Sequence, residues 1–315
     1  MGRRRKFGRP VDGVLILDKP LGMSSNAALQ EAKRLFFAQK AGHTGSLDPL
    51  ATGVLPLCFG ESTKFSQQLL DADKGYRARI QLGVATTTGD LEGEVIGTSN
   101  TEQVTEATLD EVIDRFRGKV EQVPSMFSAL KYQGTPLYEL ARKGVDVERP
   151  PRTITIHKLE VLDFTLGSEA SIDVEVVCSK GTYIRTLAED IGIALGVGAH
   201  LTQLHRISAG IFDDSQSYTL DRLKELRGEQ PAESLDEFLL PVDALLKGFS
   251  KVELDNQSAE FFILGQAVMV PGVYRSSKET DIVRTFRETG EFLGIGEVTE
   301  DGRVRPRRLI VQDQN

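Results

Sequence analysis

The chain has 315 residues, of which 40% are hydrophobic and 27% charged, and its formal net charge is −8. This length allows one large and one small domain with a core that needs no disulfides, and the composition excludes a fibrous, disordered or membrane-spanning protein. The cysteines at 58 and 178 and the four histidines match no metal-ligand spacing, and no phosphate-binding glycine motif is present. We therefore expect no metal, no cofactor and a cytoplasmic location.

Basic residues are concentrated near the two ends of this acidic chain. One group forms an N-terminal arm (Arg3, Arg4, Arg5, Lys6 and Arg9), and another lies near the C-terminus (Arg303, Arg305, Arg307 and Arg308). Local basic stretches on an acidic background suit a protein that binds one folded RNA in one orientation. The alternative is that the arm is a solubilising tail.

The first predicted elements are a short buried strand at residues 14–17 and a helix that follows the capping position Ser24. In this helix Ala28, Ala32, Leu35 and Phe36 fall on one face. Residues 42–56 then contain three glycines and two prolines, which predict a loop that apolar side chains hold against the core. Loops held in this way commonly present reactive groups.

The ionisable groups of this loop are His43 and Asp48. One interpretation is that Asp48 caps a short helix beginning at Pro49, since Asp is a good N-cap and Pro suits the first helical position. The other is that Asp48 is a nucleophile or base held on a rigid loop. Both remain open on these residues alone, and they are compatible, because a capping position also fixes a carboxylate in space.

Several later regions also carry predictions. From Tyr76, apolar residues alternate with polar ones, which indicates a half-buried strand that begins with a tyrosine. Residues 65–70 are expected to be helical, residues 83–108 to form an extended acidic excursion and residues 109–116 to form a helix. Residues 172–178 alternate as a strand, and a helix capped by Thr182 follows, with Tyr183 and Arg185 in its first turn.

Arg185 is unfavourably placed by the helix dipole, which prefers carboxylates at a helix N-terminus. A residue that breaks a local preference without local gain indicates a partner elsewhere in the fold. The alternative is an exposed arginine paired with Glu189 one turn along the helix. From about residue 249 short alternating segments separated by glycines predict a small all-β unit.

Residues 42–56 (GHTGSLDPLATGVLP) resemble, almost residue for residue, the catalytic motif of the TruB family of tRNA pseudouridine synthases. Further segments resemble the same family: Lys19-Pro20, 121–131 (EQVPSMFSALK), 180–185 (KGTYIR) and 198–206 (GAHLTQLHR). Residues 294–298 and 305–309 resemble the PUA-like RNA-binding domain that ends many such enzymes. The resemblance implies an α/β (α+β) fold in which helices flank a mixed, mainly antiparallel sheet. It implies a basic arm at 1–10, a catalytic domain at 11–248 and a PUA-like domain at 249–315.

The resemblance also assigns roles to individual residues. Asp48 is the expected catalytic carboxylate, Arg185 its ion-pair partner, and Tyr76 the residue that stacks on the target base and transfers the proton at carbon 5. Tyr183 and Leu204 are expected to line the uridine pocket and His43 to contact the RNA. Lys19 and Lys64 complete the set of expected substrate-binding residues.

The implied function is isomerisation of uridine to pseudouridine at position 55, in the T loop of tRNA, on a base turned out of its stack. No atom is gained or lost, so the reaction needs no cofactor. We expect a monomer that binds the tRNA T stem-loop without an obligatory protein partner.

Three alternatives remain. One is a non-catalytic RNA-binding protein or tRNA chaperone, and another is a carboxylate hydrolase. A hydrolase such as a glycosidase needs a second carboxylate, which the sequence does not place beside Asp48. The third is the RNA-guided archaeal and eukaryotic branch of the synthases, which the absence of long basic extensions disfavours.

Overall fold

The structure is a computed structural model, and it describes residues 7–167, 169–275 and 277–311. The residues of the predicted basic arm at positions 1–6 lie outside this part of the chain. Helices in chain order are α1 (Ser25–Leu35), α2 (Ser66–Leu70), α3 (Glu106–Arg115), α4 (Leu137–Arg142), α5 (Ile184–Ala194), α6 (Leu220–Arg227) and α7 (Asn256–Ile263). Short 3₁₀ helices span Gly60–Phe65, Asp214–Gln216, Ala232–Phe238, Val242–Leu246 and Val273–Arg275. None of the described helices is both long and apolar enough to span a bilayer.

The strands form two main sheets and two small hairpins. In chain order they are β1 (Gly13–Lys19), β2 (Ala41–His43), β3 (Ala51–Phe59), β4 (Lys74–Leu82), β5 (Val84–Thr86), β6 (Val95–Thr98), β7 (Gly118–Gln122), β8 (Lys131–Tyr132), β9 (Thr135–Pro136), β10 (Arg152–Thr165), β11 (Ser171–Cys178), β12 (Ala199–Ala209), β13 (Phe212–Asp213), β14 (Tyr218–Thr219), β15 (Lys251–Leu254), β16 (Val268–Met269), β17 (Ile282–Arg287), β18 (Phe292–Val298) and β19 (Arg303–Leu309).

The larger sheet has the order β14-β1-β3-β12-β4-β11-β10-β7, with β2 added beside β3 and β13 beside β12. Its pairs are antiparallel except β1 with β14 and β3 with β12, which are parallel. Helix α5 and the helices around it cover the sheet, and apolar residues of β4, β11 and α5 share one core cluster. The predicted mixed, mainly antiparallel sheet flanked by helices is therefore confirmed.

The second sheet begins at Lys251 and has the order β15-β17-β18-β19-β16. It has its own core, and Ile295 also joins a cluster with Val14 and Ile16 of β1. The small β unit expected from about residue 249 is present, although it also contains helix α7, which the sequence analysis missed. Ala259 and Phe262 of α7 are buried, and the Asp255 side chain caps the helix by accepting from the Ser258 N–H.

Several predicted elements agree with the structure. The Ser24 side chain caps α1 by accepting from the Ala27 N–H, the first predicted strand is the buried β1, and the strand expected from Tyr76 is β4.

The excursion expected at 83–108 is more regular than predicted. It contains the paired strands β5 and β6 and the start of α3, which begins at Glu106 after a capping interaction between Thr105 and Thr108.

The predicted loop at 42–56 is wrong in extent. Gly42 and His43 belong to β2, and β3 begins at Ala51, so the irregular part is residues 44–50. Gly53 and Pro56 fit inside β3 because long-range pairing outweighs their low strand propensity. Gly53 has a φ of +99°, and a Cβ built on it would lie 2.3 Å from the Arg206 carbonyl oxygen. Glycine therefore allows β3 to approach β12 closely at this point.

Candidate active site

Asp48 lies in the tight connection between β2 and β3. Ser25 Oγ holds this connection by accepting from the Leu47 N–H at 2.7 Å and donating to the Leu47 carbonyl at 3.0 Å. The Asp48 carbonyl accepts from the Ala51 N–H at 3.0 Å. A turn and then a strand follow, so the interpretation of Asp48 as a helix cap is wrong. Its side chain is 48% exposed, which leaves the carboxylate available to a ligand.

The predicted partner of Asp48 is present. Arg185 Nε lies 3.0 Å from Asp48 Oδ2, and the arginine side chain is only 7% exposed. This contact confirms the predicted ion pair, and it excludes the alternative of an exposed Arg185 paired with Glu189. Helix α5 begins at Ile184, with Tyr183 as an N-cap whose side chain makes no capping hydrogen bond. The predicted Thr182 cap is wrong, because its hydroxyl donates to the Ser179 carbonyl instead.

Arg185 has three further partners, which the sequence analysis did not identify. Its Nη1 lies 3.4 Å from Asp90 Oδ2 and donates to the Thr88 carbonyl at 3.0 Å, and its Nη2 donates to the Phe127 carbonyl at 2.7 Å. Asp90 is buried. A guanidinium with every nitrogen engaged has a fixed orientation, so Arg185 holds Asp48 at one place at the pocket mouth.

The pocket beside Asp48 has a volume of about 320 Å³, within the usual range for small ligands. Its walls include Tyr76 from β4, Tyr183 from the turn into α5 and Leu204 from β12. The pairing of β12 with both β3 and β4 brings these elements together. Five of the predicted site residues thus line one pocket: Asp48, Tyr76, Tyr183, Arg185 and Leu204.

Burial raises the pKa of the Tyr76 and Tyr183 hydroxyls. In Tyr76 the nearby Arg206 guanidinium opposes this effect, and in Tyr183 the Ser128 side chain does so. Both rings are flat, partly apolar surfaces next to a carboxylate. Such an arrangement can hold a planar base by stacking while a charged group reaches its edge or its sugar.

The other three predicted residues lie outside the pocket lining. Lys19 is fully buried, and its ammonium donates to the carbonyls of Pro20 at 2.9 Å and Met23 at 2.6 Å. Burial lowers the pKa of Lys19 to about 8. The Lys19 ammonium also lies 3.5 Å from the Pro49 carbonyl, so Lys19 supports the connection that carries Asp48.

His43 ends β2 and is half-buried, with no partner for its Nδ1 among the described residues. Burial lowers the pKa of this imidazole, which favours the neutral ring. Lys64 lies at the junction of the two sheets. Its ammonium contacts Glu61 at 2.5 Å and donates to the Leu309 carbonyl at 2.9 Å.

Two basic residues of the pocket were missed. Lys74 donates to the carbonyls of Leu69, Leu70 and Ala72, and Arg206 is 1% exposed. Arg206 had a sequence signal: it lies two residues after Leu204, so strand alternation places both on the same face of β12. Asp90 had none, because its position depends on a contact with the distant Arg185. Lys74 had none either, because no pattern in the sequence marks the local carbonyls that hold it.

Comparison with known proteins identifies the family. The model of the TruB family pseudouridylate synthase N-terminal domain matches residues 33–184. The tRNA pseudouridylate synthase B C-terminal domain matches residues 185–247, and the Pseudouridine synthase II TruB C-terminal model matches residues 250–310. The chain belongs to the TruB family.

Relatives of this TruB-family chain match it from end to end. It is 52% identical over 312 residues to tRNA pseudouridine synthase B of Saccharophagus degradans, covering 99% of this chain and 100% of the relative. It is 53% identical over 310 residues to the protein of the same name from Stutzerimonas stutzeri, covering 98% and 99% of the two chains. The resemblance predicted from the motifs is confirmed.

Solved structures share the fold of the TruB-family chain. A structure of an H/ACA RNP bound to a substrate RNA containing 2′-deoxyuridine has a TM-score of 0.71 at 24% identity, covering 99% of this chain and 92% of the other. A crystal structure of a Cbf5-Nop10-Gar1 complex has a TM-score of 0.68 at 26% identity, with coverage of 99% and 90%.

The predicted basic clusters are partly neutralised. Arg9 bonds to Asp236 Oδ1 at 2.5 Å and lies 3.6 Å from Glu233. At the other end of the chain, Arg305 and Arg307 both contact Glu297. These arginines stabilise the fold as well as contributing positive charge to the surface.

Proposed function

We propose that this chain isomerises the uridine at position 55 in the T loop of tRNA, with Asp48 as the catalytic carboxylate. Its membership of the TruB family and its full-length relatives show that the chain is an enzyme that converts uridine to pseudouridine in tRNA. A purely binding function is not favoured by this relationship. The observation that carries the assignment to Asp48 is a half-exposed carboxylate, fixed by a buried arginine, at the mouth of a pocket walled by tyrosines.

The pocket suits a base that has left its stack. The Tyr76 ring offers a stacking surface, while Tyr183 and Leu204 close the sides and limit water. Asp48 then meets the nucleotide, either at the base or at the sugar, and each of these routes begins with an ionised carboxylate. Arg185 Nε, 3.0 Å from Asp48 Oδ2, fixes the position of this carboxylate.

Once the base has been rejoined through carbon 5, that carbon still carries its hydrogen. We assign removal of this proton to Tyr76, which lines the pocket. We assign His43 to the RNA, where its neutral ring fills the space left by the turned-out base. Lys19 affects the substrate indirectly, because it supports the connection between β2 and β3 that carries Asp48.

The purified protein and an unmodified tRNA transcript are sufficient to test the position. We expect chemical mapping to find pseudouridine at position 55, and none in a matched transcript with cytidine there. Modification of a different uridine would contradict the position while leaving the activity intact. No pseudouridine in any tRNA would contradict the function.

We further propose that the protein acts as a monomer without guide RNA or protein partner. Its identity is 52–53% to bacterial proteins over nearly the whole chain, against 24–26% to chains from H/ACA and Cbf5 complexes. Light scattering during gel filtration should give the mass of one chain, and a T stem-loop transcript alone should be modified. A requirement for a second macromolecule would contradict this proposal. The cytoplasmic location stays a prediction.

A further inference from the structure

Arg206 is a buried arginine that the proposed mechanism leaves without a role. Arg206 lies on β12, where it pairs with Tyr76 of the neighbouring β4. On the other side of β12 it pairs with Gly53 of β3. Since directly paired residues project to the same face of a sheet, the Arg206 and Tyr76 side chains share the face that forms the pocket. Both residues line it.

The guanidinium of Arg206 is incompletely satisfied. Its Nε donates to the Val54 carbonyl at 2.6 Å, but its Nη2 has no hydrogen-bond partner in the part of the chain that the structure describes. Leaving a buried donor unpaired costs roughly 1–3 kcal/mol, and more when the group is charged. A group retained at such a cost in a substrate pocket indicates an acceptor that gains charge during the reaction.

The Tyr76 oxygen is the acceptor that the geometry offers. Arg206 is 1% exposed, so an RNA phosphate cannot reach it directly, whereas Tyr76 is its direct partner across the β12–β4 pairing and its side chain interacts with the guanidinium. Burial raises the pKa of Tyr76, and the adjacent Arg206 charge lowers it. Cys178 on β11 and Asp48 in its connection also face this hydroxyl, and both raise its pKa. Arg206 is therefore the cation that favours a charged Tyr76 oxygen.

We propose that Arg206 is a positioning residue that holds the Tyr76 oxygen and stabilises its ionised form for the proton transfer at carbon 5. This inference rests on the proposed function. In the step concerned, the C5–H bond of the rejoined base breaks, its electron pair returns to the uracil ring, and the proton forms an O–H bond on Tyr76. Loss of that proton to solvent after product release restores the starting state.

The first test needs no RNA. A single fluorinated tyrosine, which is more acidic than tyrosine, is incorporated at position 76, and its ionisation is followed by ¹⁹F NMR. We expect Arg206→Met to raise the titration midpoint by about one pH unit, as loss of a neighbouring charge does. Arg206→Lys should restore most of the difference. The matched control is Arg79→Met. Arg79 lies on β4, the strand that carries Tyr76, and its side chain is exposed and paired with Asp173. This variant should leave the midpoint unchanged.

The second test measures single-turnover pseudouridine formation. A rise of one pH unit in the midpoint lowers the ionised fraction tenfold, so Arg206→Met should slow product formation by about tenfold, with Arg206→Lys recovering most of the rate. An unchanged midpoint in folded Arg206→Met would overturn the inference. If the methionine variant fails to fold, the neutral Arg206→Gln takes its place, and an unchanged midpoint in that variant would overturn the inference equally. If the wild type forms no pseudouridine, the proposed function fails, and the titration separately reports on the Arg206–Tyr76 contact.

Discussion

At the scale of single residues, the two carboxylates on Arg185 differ in exposure and therefore in use. Asp48 is 48% exposed and Asp90 is 6% exposed at the side chain. The buried carboxylate and two backbone carbonyls fix the arginine, and the exposed carboxylate remains free to meet a ligand. In the proposed mechanism, Asp90 therefore supports the arginine and Asp48 performs the chemistry.

Asp48→Asn should abolish chemistry while leaving RNA binding largely intact, because it removes the reactive charge but keeps the size of the side chain. We expect product formation to fall roughly 1000-fold or more, as for other catalytic residues. The measurement is tritium release from tRNA labelled at carbon 5 of uridine. Undiminished release from the variant would rule out Asp48 as the catalytic residue.

Asp90→Asn should affect stability more than Asp48→Asn does. Asp90 and Arg185 are both buried, so removing the Asp90 charge should cost about 3 kcal/mol. The Asp48 carboxylate is half-exposed and solvated, so removing its charge should cost about 1 kcal/mol or less. Urea denaturation of the two variants provides the comparison. Equal losses would mean that Asp90 does not fix Arg185.

At the scale of elements, β3 shows what local patterns miss. Its glycine and its proline favour an irregular loop, yet it pairs with β1, β2 and β12. The pairs with β1 and β12 join residues far apart in sequence, so no local window contains them. The strands with clean alternation, such as β4 and β11, were predictable because their two faces differ in burial.

Gly53→Ala tests the close approach of β3 to β12. The new Cβ would meet the Arg206 carbonyl at 2.3 Å, and the backbone φ of +99° disfavours any side chain. We expect the free energy of unfolding to fall by about 3 kcal/mol. Gly42→Ala is the matched control, since nothing lies within 4 Å of its added Cβ, and its change should stay below about 1 kcal/mol. Similar losses in both variants would contradict the argument.

At the scale of the whole molecule, the sequence predicted the two β-rich parts but not how they join. The resemblance to the family motifs predicted that Asp48, Tyr76 and Arg185 share one site, because the motifs of a family reflect its three-dimensional structure. Hydrophobic periodicity reports only on local structure. The contacts between these two parts had no comparable signal. They include Phe65 against Phe292, with ring centroids 5.7 Å apart, and Glu61 accepting from the Val311 N–H at 2.6 Å.

Lys64 was predicted to bind substrate, and its position at this junction leads to a different expectation for Lys64→Met. Loss of the contacts to Glu61 and the Leu309 carbonyl should lower stability by about 1 kcal/mol, with little change in RNA affinity. Thermal unfolding and RNA titration of the same variant separate the effects. A large loss of affinity at unchanged stability would instead favour a direct RNA contact.

The contacts of Arg185 with the Thr88 and Phe127 carbonyls have a consequence for sequence variation. A backbone carbonyl is present whatever side chain its residue carries, so these two positions can change identity without removing an acceptor from the arginine. The side chains at 48, 90 and 185 have no such freedom. The arrangement of the pocket can therefore be preserved while the amino-acid sequences of the surrounding loops change.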